Sequence, residues 1–104
     1  MNLLFVRMMN KNPIVSSYAN SIYFIDGSGL YHCEHEGLPA FLCYAKGREY
    51  YLYYNHGKFH NLNGPACVYM DARIKDQYWV DDARYKCKES WEMRVKQYKR
   101  TYES

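Results

Sequence analysis

The sequence predicts an α+β fold: an antiparallel β-meander of repeated hairpins, about five to seven strands, closed by one carboxy-terminal helix. Three observations predict it. Tyr occurs 13 times against 4 Phe and 2 Trp in 104 residues, and a β surface accommodates a flat ring whose hydroxyl reaches a wet edge. A hairpin-sized unit recurs along the middle of the chain. The hydrophobic period then changes to a helical one over the last residues.

The length suits one compact domain over residues 1–104 and is too short for two that each bury a core. With 48% hydrophobic residues, 24% charged residues, 3 Pro and 6 Gly, disordered, collagen-like and low-complexity classes are excluded. The run Leu3-Leu4-Phe5-Val6 ends at Arg7, short of the ~7 to 15 residues of a signal-peptide core. No apolar stretch approaches the ~18 to 20 residues that cross a bilayer. A soluble, cytoplasmic protein with no membrane association is expected. Cys33, Cys43, Cys67 and Cys87 lack a secretory context and close pairing, so free thiols are expected.

Taken in order, Leu3 to Met8 reads as an additional edge strand, and Ser21 to Ile25 as an extended segment that matches later return strands but pairs with neither by sequence. Gly37-Leu38-Pro39-Ala40 and Gly64-Pro65-Ala66 stop what precedes them and open strands near Ala40 to Tyr44 and Ala66 to Met70. After Lys46-Gly47-Arg48 in one copy and Asp71 to Lys75 in the other, the chain returns through Tyr50 to Tyr54 and Gln77 to Val80. Each unit therefore reads as a β-hairpin. Over residues 87–102, regular from about Lys88 to Arg100, Trp91, Val95, Tyr98 and Tyr102 fall at i, i+4, i+7 and i+11, one face of a helix. That helix should cover a face or open end of the sheet and protect the last hairpin. Trp79, Tyr53, Leu52, Val68, Leu42 and Phe41 are expected in or near the core, with Trp91 anchoring the helix.

The repeat carries most of the information. Phe24-Ile25-Asp26-Gly27-Ser28-Gly29-Leu30-Tyr31-His32 aligns with Leu52-Tyr53-Tyr54-Asn55-His56-Gly57-Lys58-Phe59-His60, and then with Tyr78-Trp79-Val80-Asp81-Asp82-Ala83-Arg84-Tyr85-Lys86. In the third copy Ala83 stands for the Gly and Lys86 for the His. His32 and His60 recur at one repeat position, so each is expected to bond a nearby backbone group in the loop between hairpins.

The pattern of His60, Asn63-Gly64-Pro65-Ala66, Val68-Tyr69 and Tyr78-Trp79 resembles the MORN-like "His, Gly-Pro-Ala" repeats of small phage and giant-virus proteins. The repeats span residues 22–86, and the likeness extends to about Tyr98. Those proteins similarly carry an aromatic-x-Asn-Gly-Lys turn, here Tyr54-Asn55-His56-Gly57-Lys58, and a short final helix with a Trp, here Trp91. The resemblance implies a twisted antiparallel meander and a viral or bacterial origin. It transfers no catalytic residue.

Metal binding is the first chemistry to weigh, through His32-Cys33-Glu34-His35 with His56 and His60. No Cys-x-x-Cys occurs, and Cys43 and Cys67 sit inside apolar strands, so neither metal nor other cofactor is expected. Cys33 beside His32 and His35 suggests a nucleophile, but strand neighbours point to opposite faces and no orienting group follows. Asp26-Gly27-Ser28-Gly29 lacks the Gly that a serine elbow needs two residues before the Ser. No enzyme activity is expected.

Binding remains. Residues 1–71 hold five basic and five acidic side chains, while residues 72–104 hold nine against six, so the excess positive charge is carboxy-terminal. Tyr50, Tyr54 and Tyr78 with Arg94, Lys96, Lys99 and Arg100 form the expected partner-binding set. A thin sheet with one face uncovered would present Tyr to a protein, and a host protein is the expected partner of a phage-type accessory protein, which would inhibit a host enzyme or defence factor in the host cytoplasm. The alternative is a nucleic-acid module, with Tyr stacking on bases and the basic helix neutralising phosphates. Self-association through the sheet edge is a third use.

Overall fold

The computed structural model describes residues 3–102; the two residues at each end of the chain lie outside the described residues. The elements run α1 (Leu3–Met9), β1 (Ile14–Ser16), β2 (Ser21–Tyr23), β3 (Phe41–Cys43), β4 (Tyr50–Leu52), β5 (Tyr54–Asn55), β6 (Lys58–Phe59), β7 (Cys67–Tyr69), β8 (Tyr78–Val80), β9 (Ala83–Tyr85) and α2 (Lys88–Tyr102). The class is α+β, as the sequence predicts. A five-stranded antiparallel sheet in the order β1-β2-β3-β4-β7 is accompanied by the hairpins β5–β6 and β8–β9 and by two helices.

The amino-terminal segment corrects the expected edge strand. An apolar run of four residues is ambiguous in period, and here Leu4, Phe5 and Met8 fall on one helical face that packs on Ile22, Leu38 and Leu42. Met8 and Ile22 are wholly buried. Asn12, at φ 58, ends the segment in the left-handed conformation that Asn tolerates after a helix, and Pro13 follows. The edge strand is supplied instead by Ile14–Ser16, paired Val15 to Ile22. Ser21–Tyr23 is also not left unpaired, because it lies between β1 and β3, with Ile22 opposite Leu42.

The first repeated hairpin forms as expected. Phe41, Leu42 and Cys43 face Leu52, Tyr51 and Tyr50, and Gly47 at φ 80 takes the turn position that side chains resist. The second does not. β7 occupies the free edge of β4, Tyr51 opposite Val68, and meets the return segment in a single bridge, Cys67 to Gln77. β8 then turns away to pair with β9, because Val80 and Tyr78 complete a second core with Trp91 and Val95 of α2. The expected return strand Tyr50–Tyr54 likewise splits at Tyr53, whose N–H donates to Ala66 O at 2.7 Å. Ala40 and Ala66, the small residues of the two Pro-Ala pairs, have no exposed surface. Of the expected core, Leu42 is buried, whereas Phe41, Leu52, Tyr53, Val68 and Trp79 are half-buried.

Candidate functional site

Alternation along the central strands divides the sheet into two faces. The row Ile22, Leu42, Tyr51 and Val68, matched by strand register, lies on the α1 side. The flanking rows place Tyr23, Phe41, Tyr50 and Tyr69 on the other side. Their rings stand in file: Tyr23 to Phe41 at 6.2 Å, Phe41 to Tyr50 at 5.9 Å and Tyr50 to Tyr69 at 6.1 Å, with interplanar angles of 19°, 23° and 37°. Tyr31 meets Phe41 edge-on at 5.5 Å and joins Tyr54 at 5.1 Å. Tyr54 stacks on Phe59 at 4.6 Å, and Phe59 meets Trp79 at 5.0 Å. Eight half-buried rings thus make one continuous band.

The chemistry of the band is that of neutral phenols. Burial pushes the Tyr54 hydroxyl up to about 12, and burial is also the first cause raising Tyr50 and Tyr69. Among the described residues no buried side-chain nitrogen or oxygen lacks a hydrogen-bond partner. Within the band the Tyr69 hydroxyl bonds the Cys67 thiol. Arg84, across from Trp79, acts electrostatically on Tyr69 and supplies a cation at one end.

A second feature is the way successive units dock. His56 and Gly57 form the tip of β5–β6 at φ 47 and 84, and their N–H groups donate to His32 Nδ1 at 3.1 Å and Tyr31 O at 2.8 Å. Asp81 and Asp82 form the tip of β8–β9 at φ 47 and 66, and donate to His60 Nδ1 at 3.1 Å and Phe59 O at 2.9 Å. The expectation that His32 and His60 bond backbone groups between hairpins holds at both positions. The same geometry corrects the alignment of the third copy. Val80 faces Ala83, so Asp82 occupies the place of Gly57, and Ala83 lies past the turn.

Side chains reinforce the joints. His56 Nδ1 lies 2.7 Å from Asp26 Oδ2, which with the backbone N–H groups of Leu30 and Ser28 holds the Asp26 carboxyl below its ordinary range. The His32 and His56 rings stack at 3.7 Å. Burial lowers His60, against the opposing charge of Asp81 and with that of Arg94. Neutral His60 therefore accepts the Asp81 N–H through Nδ1. Asp82 Oδ1 accepts the Phe59 N–H at 2.8 Å.

The loops that follow His32 and His60 wall a groove of about 630 Å³ on the α1 side of the sheet, floored by Tyr51 and Val68 beyond the reach of α1. Cys33 lies in one wall. Its thiol donates to His35 O at 3.7 Å, and burial pushes it up, which is the wrong direction for a nucleophile. Among the described residues no group of three or more His, Cys, Asp or Glu is arranged to hold a metal ion.

The seven sequence-predicted residues do not share one surface. Tyr50 and Tyr54 belong to the band. Tyr78 turns the other way, against Trp91 at 4.9 Å, because it alternates with Trp79 along β8. Arg94 lies over Tyr98 at 5.8 Å, while Lys96, Lys99 and Arg100 are exposed on α2. Since α2 covers the Tyr78 side of the last hairpin and Trp79 lies on the band side, the basic helix and the band face opposite ways. Tyr23, Tyr31, Phe41, Tyr69, Phe59 and Trp79 were not singled out from sequence as binding residues, and strand register is what gathers them. Among the described residues no helix is long and apolar enough to cross a membrane. Comparison with family models, curated proteins and solved structures returns no match.

Proposed function

We propose that this chain is a non-catalytic binding module that engages a protein through the aromatic band centred on Phe41, Tyr50 and Tyr54. The observation that carries this reading is the stacking of the rings on one another. Phe41 and Tyr50 each lie in file between two ring neighbours, which leaves their edges and the Tyr50 hydroxyl to a partner. A nucleobase needs an open ring face, whereas a protein interface uses the apolar edge and polar tip of Tyr. The separation of the band from Lys96, Lys99 and Arg100 supports the same choice, because phosphate and base contacts would have to come from opposite sides. The likeness to repeats of phage and giant-virus proteins supports a partner in the cytoplasm of a host, where occupation of the band would block an enzyme or defence factor.

The test is affinity capture from host extract with and without nuclease, comparing the native chain with Tyr50→Ala and with Lys96→Glu/Lys99→Glu. A stoichiometric protein that resists nuclease, is lost with Tyr50→Ala and is kept by the helix variant is the expected result. Retention that disappears with nuclease, or that depends on the helix variant alone, would replace this reading with nucleic-acid binding.

A further inference from the structure

The groove on the α1 side differs in chemistry from the band. Glu34, Glu36 and Asp76 line it, and no Lys or Arg does. Among the described residues none of these carboxylates has a Lys or Arg nitrogen within 4.0 Å; the ion pairs run elsewhere, and Glu34 has only the His32 imidazole, at 3.8 Å. Local acidity of this kind runs against a net charge of +3. Arg7 stands beside the groove without lining it: its guanidinium is near Gly37, its charge acts on Tyr53, and it lines an adjoining cavity with Lys11 and Glu36.

The floor adds a second, independent affinity for cations. Tyr51 and Tyr53 both border the groove, and their rings meet at 6.0 Å and 73°. A perpendicular pair leaves ring faces unspent, and such a face attracts an ammonium or guanidinium group. The walls are held in advance. The Tyr53 hydroxyl donates to Gly37 O at 3.4 Å on one side, and Asn61 Nδ2 donates to Pro65 O at 3.0 Å on the other. Little ordering is then left for a ligand to impose.

We infer that this groove holds an extended basic segment of a protein, seating a Lys or Arg side chain over Tyr51 and Tyr53 with Glu34, Glu36 and Asp76 around its charge. It is a second contact surface that meets the aromatic band at Tyr54 and otherwise uses different residues. Charge complementarity selects the occupant: an acidic or phosphorylated segment would be repelled, and a purely apolar one would strand three carboxylates.

The experiment titrates a fluorescently labelled, end-capped tetra-arginine peptide into the full chain, read by anisotropy and by backbone amide shifts. Saturable binding that weakens with added salt is expected, with shifts at Tyr51, Tyr53 and the loops after His32 and His60. The triple variant Glu34→Gln/Glu36→Gln/Asp76→Asn should bind about tenfold more weakly. Its fold should hold, since the three side chains are exposed and Asn keeps the oxygen that accepts the Tyr69 N–H at 3.0 Å. Tyr50→Ala should bind the peptide as the native chain does, which separates this site from the band. Absent saturation, shifts confined to the band or to α2, or undiminished affinity in the triple variant would each overturn the inference. The native chain's shift map decides even where a variant misfolds.

Discussion

His60 joins the second unit to the third, and its replacement gives the most direct measure of how the repeats hold together. Its side chain is 12% exposed, Nδ1 accepts the Asp81 N–H at 3.1 Å, and the ring lies 5.2 Å from that of Tyr98. His60→Ala leaves a half-buried N–H without its acceptor, at a cost of about 1 to 3 kcal/mol. It also removes a ring contact worth roughly 0.5 to 1.5 kcal/mol. The variant should lose about 2 to 4 kcal/mol, lowering the unfolding midpoint by on the order of 10 °C or more. His60→Gln keeps an acceptor and should recover part of the loss.

The pH dependence is the sharper part of the prediction. Burial lowers the folded His60 below its ordinary 6.5, so the unfolded chain binds the extra proton first as pH falls. Stability from the neutral ring is complete above 6.5 and is lost as pH falls through the folded value. The margin of the native chain over His60→Gln should therefore narrow between pH 7 and pH 5 in urea unfolding followed by circular dichroism. A margin that stays constant would mean that folding leaves the proton affinity of the imidazole unchanged, one that widens toward acid would mean that Asp81 holds it protonated, and either would refute the docking account. So would a loss below about 0.5 kcal/mol for His60→Ala.

Two other outcomes follow from burial. Trp91 is 7% exposed and its Nε1 donates to Asn61 O at 3.1 Å, so Trp91→Ala should cost about 3 to 5 kcal/mol in denaturant unfolding, more than Trp79→Ala, whose ring is only half-buried. Titration with a thiol-specific disulfide reagent at pH 8 should find Cys87, which is exposed, reacting first. Cys67, whose thiol burial pushes up to about 11, should stay protected until the chain unfolds; rapid reaction of all four thiols would contradict the core.

Much of the fold was legible because hairpins announce themselves locally. Lys46-Gly47-Arg48 and the flanking aromatic runs specify β3–β4 without help from the rest of the chain, and the spacing of Trp91, Val95 and Tyr98 specifies α2 and its buried stripe. What failed depends on tertiary competition. Leu3 to Met9 has the apolar content of a strand, and only the uncovered row of Ile22 and Leu42 makes a helix the better cover. Cys67 to Tyr69 had two strands to pair with, and the edge of β4 won over the return segment because α2 needed Tyr78 and Val80. The third repeat was misaligned by one residue, since Gly57 and Asp82 fill the same left-handed place and a search for Gly passes over an Asp.

The proposed binding surface was half legible for a related reason. Tyr50 and Tyr54 could be named from their strands, but the band requires knowing that Tyr23 stands across from Phe41 and Tyr69 across from Tyr50, which is register and not composition. Tyr78 shows the limit. One step along β8 separates it from Trp79, and that step moves a ring from the band side to the underside of α2. The groove follows from the same alternation. Tyr51 shares its strand with Tyr50 and faces away from it, so adjacent tyrosines serve two surfaces of opposite character, one of stacked neutral edges and one of open rings among carboxylates. Asp76 links the two, since it accepts the Tyr69 N–H, so the carboxylates that can be altered without touching the band are Glu34 and Glu36. Tyr50→Ala and Glu34→Gln/Glu36→Gln should accordingly act independently, and a partner contacting both should lose affinity by the product of the two single effects.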